Sequence, residues 1–237
     1  MRAMRQPLVV AVAQPGVVSG EVAANAVEHA ELVRAAAARV VVFPEMSLTG
    51  YELDGQAVTV DDPRLQPILV ACAQTQSWAL VGAPVPGVSG HTHIGMLAID
   101  GGGVRVAYRK MWLSTEEARH FTPGNTPAVL DVDGWRLGLA ICRDTGIEEH
   151  AAVTAALGID VYVAGVLEHE EDVAVPEQRA RRIAAEHHVW VAIASFAGST
   201  GGGYARAPGG SGIWSPDGQA VARAGAETGA IARATLA

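Results

Sequence analysis

A chain of 237 residues is long enough to close a sizeable hydrophobic core without disulfide or metal staples. With 49% apolar and 18% charged residues it is no solvated tail or linker, and a low aromatic share of 5% beside abundant Ala and Val suits a layered α/β core. The net charge of -8, from 17 Lys and Arg against 25 Asp and Glu, excludes a broad basic surface for nucleic acid or anionic lipid.

LVVAVAQ (8–14) predicts a strand, and the Ala-rich segment 21–38 a helix, because Ala26, Ala30, Val33 and Ala37 share one helical face. VVVF (40–43) reads as a buried strand stopped by Pro44, which delivers Glu45 where the chain leaves the sheet. Residues 63–75 predict a helix carrying Cys72, 78–83 a strand, and 93–99 and 104–109 two more around Gly101-Gly102-Gly103. WRLGLAI (135–141) is a strand ending at Cys142; a helix at 148–157, a strand at 159–163, a helix at 176–188 with Pro at its start and a strand at 189–194 follow. Residues 211–234 read as short strands around the turn Pro216-Asp217-Gly218.

Strands and helices alternate at both ends with hairpins between them, so a sheet-on-sheet core flanked by helices is expected, in a single domain over residues 1–237. The longest apolar stretch, 151–167, carries Thr154 and Asp160 midway, and 8–13 is too short for the apolar core of a signal peptide. A cytoplasmic protein with no membrane or nucleic-acid partner is the expectation.

Three reactive residues each close a strand: Glu45 after VVVFP, Lys110 after VRVAYR and Cys142 after WRLGLAI. In helix-covered sheets, strand ends open onto one rim where side chains converge on a rigid support. Taken singly, each has an ordinary reading as loop carboxylate, surface lysine or buried hydrophobe. As a set they supply chemistry. A carboxylate partly desolvated behind a hydrophobic strand serves as general base. A fixed ammonium stabilises an oxyanion. Cys142, followed by Arg143-Asp144-Thr145-Gly146, occupies a strand-to-helix turn whose backbone N–H groups favour a thiolate or oxyanion, as in a nucleophile elbow.

The other reactive side chains read differently. Cys72, amid LVACAQ, is expected to be core packing, and the two cysteines suggest neither a disulfide nor a zinc knuckle. The eight histidines show no ligand-pair spacing, so no metal and no cofactor are expected. A Cys-His dyad of Cys142 with His150 or His120 is left open by spacing. The acidic run Glu168-His169-Glu170-Glu171-Asp172 reads as a solvated loop, with a pocket wall selecting a cationic substrate as the alternative. The Gly-rich stretch 198–212 lacks the ending of a phosphate loop and reads as an irregular loop.

Together these residues resemble the nitrilase superfamily of carbon-nitrogen hydrolases. VVFPEMSLTGY (41–51) is similar to that family's glutamate motif, YRKMWL (108–113) to its lysine motif and GLAICRD (138–144) to its cysteine motif, in family order. Supporting similarities are EARHFTPGN (117–125), LGIDVYVAG (157–165), RARRIAAEHHVWVA (179–192) and GGSGIWSPDG (209–218). The resemblance implies a four-layer α-β-β-α sandwich of two mixed sheets flanked by helices, a homodimer, and a Glu-Lys-Cys triad of Glu45, Lys110 and Cys142. It also implies that Glu117 is a second glutamate orienting the lysine and the substrate. Departures are Trp112 where many relatives have His, Ile147-Glu148-Glu149 in place of Phe-Pro-Glu, Gly165 for a frequent Pro and Ser195 for a frequent Asn. The cysteine motif lacks the Cys-Trp-Glu signature of nitrile-cleaving members, which favours amides.

The expected activity is hydrolysis of a small-molecule amide through a Cys142 thioester. Tyr51, Trp112, Val166 and Leu167 are the expected pocket wall, Trp112 making it more apolar; the Arg143 side chain reads as structural near the turn, with contact to an anionic substrate end as the alternative. Hydrolysis of an N-carbamoyl amine, or a catalytically silent binding member of the same fold, are the alternatives. Replacement of Lys110 by Ala is expected to remove activity while leaving the fold intact.

Overall fold

The computed structural model describes residues 5–237 of the chain. Its continuous apolar runs become strands covered on both faces, and the two-residue period of a strand sorts their side chains between two cores. In β1 (Leu8–Ala13), Val10 and Val12 enter the core between two sheets, while Ala11 and Ala13 face helices. In β2 (Val40–Val42), Val40 and Val42 likewise face inward and Val41 outward. Each fully buried Val contributes about 1.5–3 kcal/mol, an upper range because the unfolded chain is itself partly collapsed.

The elements between and after these two strands are α1 (Val22–Ala36), α2 (Gln66–Thr75), β3 (Trp78–Pro86), β4 (Thr92–Asp100), β5 (Gly103–Arg109), β6 (Ala128–Val132) and β7 (Trp135–Ile141). Then come α3 (Glu148–Ala155), β8 (Val161–Val166), α4 (Val175–His187), β9 (Trp190–Ser195), β10 (Ala197–Gly198), β11 (Ala207–Pro208), β12 (Gly212–Trp214), β13 (Ala220–Arg223) and β14 (Ile231–Leu236). One sheet has the order β14-β1-β2-β3-β4-β5 and the other β13-β12-β9-β8-β7-β6, with a small β10-β11 pair beside them. Both are mixed: β1, β2 and β3 run parallel in the first, β7, β8 and β9 in the second, and the outer pairings are antiparallel.

The sheets stack through Val10, Val42, Leu80, Leu137, Val161 and their neighbours. Helices α1 and α2 cover the first sheet, and α3 and α4 the second. The fold is therefore the expected four-layer α-β-β-α sandwich. Among the described residues no helix is long and apolar enough to cross a membrane.

Several elements differ from the pattern reading, among them β3, which runs on to Pro86, and α3, which ends at Ala155. Strand β8 begins at Val161 rather than at 159, because Asp160 turns to the neighbouring strand and accepts the Arg136 N–H at 2.9 Å. The segment 63–75 divides into a 3-10 turn (Pro63–Leu65), capped by the Asp62 carboxylate, and then α2. Strand β6 was not expected, yet it forms a hairpin with β7 around Asp133 and Gly134, both with positive φ (50° and 81°). That Asp-Gly dipeptide is the usual signal for such a turn.

Candidate active site

The parallel strands β2, β7 and β8 end on one rim, and that rim carries the reactive side chains. After β2 the chain passes through Pro44 to Glu45, and its course there is wedged between the two sheets. A side-chain carbon on Gly82 of β3 would lie 2.3 Å from the Met46 nitrogen, and one on Gly165 of β8 would lie 2.5 Å from the Phe43 carbonyl oxygen. Gly165, a departure from the family pattern, is thus the residue that lets the second sheet approach the Glu45 loop. The Phe43 N–H donates to the Leu80 carbonyl at 2.9 Å and the Leu48 N–H to that of Gly82 at 3.0 Å, so the carboxylate is held from both ends.

Lys110 follows β5. Its backbone N–H donates to Ile94 at 2.8 Å and its carbonyl accepts from Gly124 at 2.7 Å. Its ammonium lies 2.7 Å from Glu45 Oε1 and 2.7 Å from Glu117 Oε1. All three residues are about 1% exposed, so each charge is withdrawn from water and depends on the others.

Glu117 is held at three points. Its Oε1 also accepts from the Tyr51 hydroxyl at 2.7 Å, and its Oε2 from the Ser114 backbone N–H at 2.7 Å. The Glu117 N–H returns a bond to Ser114 Oγ at 3.1 Å, a reciprocal Ser-x-x-Glu pairing like that of a capping box, closed over the turn that leads into the 3-10 segment Glu117–Arg119.

Cys142 stands at the end of β7 with φ of 44°, a left-handed conformation that a non-glycine residue holds at a cost of about 1–3 kcal/mol. Its carbonyl accepts from Thr145 Oγ1 at 2.7 Å, pinning the turn, and its thiol donates to the Leu167 carbonyl at 3.3 Å. Such a sharp strand-to-turn transition presents the sulfur to the cavity, the geometry of a nucleophile elbow.

Environment separates the two carboxylates. Burial pushes Glu45 up to about 7, and the charge of Lys110 only partly opposes it. Burial also acts on Glu117, but Lys110 and its hydrogen bonds overcome it and hold that carboxylate below the ordinary range. Burial alone would lower Lys110; the charges of Glu45, Cys142 and Glu117 hold it above its usual value instead. Burial and the neighbouring Glu45 carboxylate push the Cys142 thiol well up, so the resting sulfur is protonated. Glu117 is thus a permanent anion and Glu45 a group that exchanges a proton near neutrality.

Because Glu45 binds a proton more tightly folded than unfolded, it favours folding below its ordinary pKa of 4.5, and that contribution is lost as pH rises through about 7. Glu45→Gln removes this penalty while leaving Lys110 paired with Glu117. The variant is expected to melt at a higher temperature than the wild type at pH 8, with the difference shrinking toward pH 5. Thermal melts by circular dichroism at the two pH values check it; a lower melting temperature at pH 8 contradicts it.

A cavity of about 760 Å³ opens over this cluster. Glu45, Lys110, Glu117 and Cys142 line it together with Tyr51, Leu167, Arg143 and Tyr204. Two expected wall residues lie elsewhere. Val166 is 1% exposed and belongs to the core between the second sheet and its helices, because the strand period turns it to the side of Tyr162 and Ala164; Leu167, one residue later, takes the cavity position. The Trp112 ring packs edge-on against His150 at 5.4 Å and does not line the cavity, so its apolar surface is not offered to a substrate there.

Neither histidine of the expected dyad is hydrogen-bonded to the thiol, although His120 lines the same cavity as Cys142. Both ring nitrogens of His150 are engaged by tyrosines, Nδ1 with Tyr162 at 2.8 Å and Nε2 with Tyr108 at 2.9 Å, while His120 Nδ1 lies 2.8 Å from Asp54. Cys72 lies on the buried face of α2, and burial pushes its thiol to about 12. Of the acidic run, Glu168 lines the cavity and is paired with Arg179 at 2.9 Å, while residues Glu170–Asp172 form a 3-10 turn with no buried member. Arg179 reaches this place over Gly146, where a side-chain carbon would stand 3.2 Å from the guanidinium. Glu168 takes the pocket-wall position that the acidic run offered as its alternative reading, while Arg179, Ser114 and Tyr204 are site residues that pattern reading did not select; of these Ser114 had a legible signal, its spacing to Glu117. Among the described residues no cluster of three or more His, Cys, Asp or Glu is arranged to hold a metal ion.

Fold and site together define a class of layered hydrolases, and comparison with known proteins names it. A sequence profile of the carbon-nitrogen hydrolase family matches residues 9–237. The chain belongs to that family and is accordingly a hydrolase of carbon–nitrogen bonds. A Pseudomonas protegens protein described as a hydrolase in the pqqF 5' region is 29% identical over 211 residues, which is 86% of this chain and 73% of that protein. An (R)-stereoselective amidase from a Pseudomonas species is 31% identical over 127 residues, covering 52% of this chain and 46% of the amidase. Among solved structures, Saccharomyces cerevisiae Nit3, of branch 10 of the nitrilase superfamily, superposes with a TM-score of 0.87 at 22% identity, over 98% of this chain and 90% of Nit3. An amidase from Nesterenkonia AN1 does so with 0.86 at 23%, over 99% and 92%.

Proposed function

We propose that the protein hydrolyses a small amide through a thioester on Cys142. The observation that carries this reading is the floor of the cavity, where a thiol on a strained turn, an ammonium between two carboxylates and a carboxylate titrating at about 7 meet. The amidases among its relatives and structural neighbours support the choice of an amide.

Glu45 accepts the thiol proton as the sulfur attacks the carbonyl carbon, and the C–S bond forms while the carbonyl π pair moves onto oxygen. Lys110 has three N–H donors, of which the two carboxylates at 2.7 Å take two. The third, together with the Arg143 backbone N–H in the turn after Cys142, stabilises the oxyanion. Collapse of the tetrahedral intermediate breaks the C–N bond as Glu45 returns its proton to the leaving nitrogen. A water then attacks the thioester, giving its proton to Glu45; the C–S bond breaks, the carboxylic acid leaves, and Glu45 returns that proton to the sulfur. A carboxyl group near 7 suits both halves of this cycle. Glu117, kept ionised, fixes the ammonium in place and does not exchange protons.

Ammonia release from a panel of primary amides, N-carbamoyl amines and nitriles at neutral pH tests the reading. The expected result is release from amides, with kcat/KM rising with pH until Glu45 is ionised, about pH 7. Release from nitriles alone, or from N-carbamoyl amines alone, overturns the assignment of an amide.

A further inference from the structure

Behind the elbow lies a buried polar network that the chemistry above does not use. Asp144 is fully buried, and its carboxylate accepts three hydrogen bonds. Oδ1 accepts the backbone N–H of Trp112 at 2.9 Å, two residues after Lys110. Oδ2 accepts the backbone N–H of Ile141 at 2.9 Å, one residue before Cys142, and the hydroxyl of Tyr108 at 2.8 Å, two residues before Lys110. One carboxylate therefore ties the segment bearing the lysine to the turn bearing the sulfur, although the two belong to different sheets.

The rest of the network fixes the direction of every proton. The single hydroxyl proton of Tyr108 goes to Asp144, so its oxygen accepts from His150 Nε2–H at 2.9 Å. His150 Nδ1 is then the acceptor for the Tyr162 hydroxyl at 2.8 Å. This needs a neutral imidazole, and burial, which lowers His150 to about 4, keeps it so. Every donor has an acceptor, the condition under which a buried network specifies one geometry. Trp112 closes it from the side, its ring edge-on to His150.

We infer that Asp144 is a positioning residue for the reaction: through the N–H groups of Ile141 and Trp112 it sets the separation and orientation of the Cys142 sulfur and the Lys110 ammonium. An amide cannot replace it. In Asp144→Asn the new NH2 group must face either the Trp112 N–H or the Ile141 N–H, donor against donor, and whichever way it turns one of the two tethers is lost. The inference rests on the reading of Cys142 as nucleophile.

The test compares the wild type, Asp144→Asn and Tyr108→Phe in kcat, KM, the rate of alkylation of Cys142 by iodoacetamide, and thermal melting. Misplacing reacting groups by about 1 Å costs on the order of 100-fold in rate, so Asp144→Asn is expected to lose about 100-fold in kcat with KM within about three-fold. Its Cys142 is expected to alkylate at least about ten-fold more slowly while the melt stays cooperative, since thiol deprotonation depends on the same alignment. Tyr108→Phe keeps both backbone tethers and loses the hydroxyl's bond to Asp144 and the one it accepts from His150, so a fall in kcat of about three- to ten-fold is expected, again without a rise in KM. A folded Asp144→Asn with kcat and alkylation near wild type overturns the inference, as does a loss that appears wholly in KM. If Asp144→Asn does not fold, Tyr108→Phe decides, and an unchanged kcat and alkylation rate there overturn it. Absence of amide turnover by the wild type sinks the proposed activity instead, and the alkylation comparison still judges Asp144.

Discussion

Replacement of Cys142 by Ala is expected to lower amide turnover by about 10⁵-fold or more, because the nucleophile and its base act as one unit and the loss of either removes most of their joint effect. The substitution should leave the fold intact. Cys142 is partly exposed at the cavity, its sulfur is held by hydrogen bonds to the Leu167 carbonyl and with the Glu45 carboxylate, and Ala tolerates the same turn with no larger side chain to place. Residual activity then measures what the ammonium and the backbone donors contribute by binding alone. Ammonia release and circular dichroism on the same preparation check both halves, and turnover within about ten-fold of wild type excludes Cys142 as the nucleophile.

Replacement of Lys110 by Met is expected to be the most damaging single change, for activity and for stability together. Sequence alone suggested that removing this lysine would spare the fold. The structure changes that expectation, because Lys110 is about 1% exposed and stands between two equally buried carboxylates at 2.7 Å. Without the ammonium, Glu45 and Glu117 face one another with no cation between them, and breaking a buried pair costs about 3–5 kcal/mol. The carboxylates would escape part of that cost by taking up a proton, so the loss should grow with pH and be smallest in mild acid. Urea denaturation at pH 5.5 and pH 8 checks the dependence. Equal stability to wild type at pH 8 contradicts the geometry described for this cluster. Glu45→Gln, by contrast, leaves a one-to-one pair of Lys110 with Glu117, which is why the two substitutions are expected to move stability in opposite directions.

The layered fold was legible because its strands are uninterrupted runs such as VVV and VYVAGV, which only two-sided burial accommodates. Glu45, Lys110 and Cys142 were legible for a related reason: each follows such a run, so the strand that buries its neighbours also aims it at the rim. Glu117 could be placed only by resemblance, although its Ser114 partner three residues earlier carries a local signal.

The cavity wall was less legible. Val166 and Leu167 are adjacent apolar residues, and their division between core and cavity depends on where β8 ends, a boundary set by pairing with β7 and β9. The place of Trp112 depends on His150, 38 residues on and in another layer, and no local pattern encodes that meeting. Asp144 shows the same limit: within CRD it reads as a loop carboxylate, whereas its three bonds come from Ile141, Tyr108 and Trp112.

The most direct test of the covalent mechanism is mass mapping of the enzyme quenched in acid during turnover of an aryl ester that carries the acyl group of its best amide. The good leaving group makes deacylation the slower step, so the acyl-enzyme accumulates. The expected result is the mass of the acyl group, less one proton, on the peptide containing Cys142, and none on the peptide containing Cys72 or in Cys142→Ala. Steady hydrolysis with the adduct on another residue, or with no adduct at all, contradicts a thioester on Cys142.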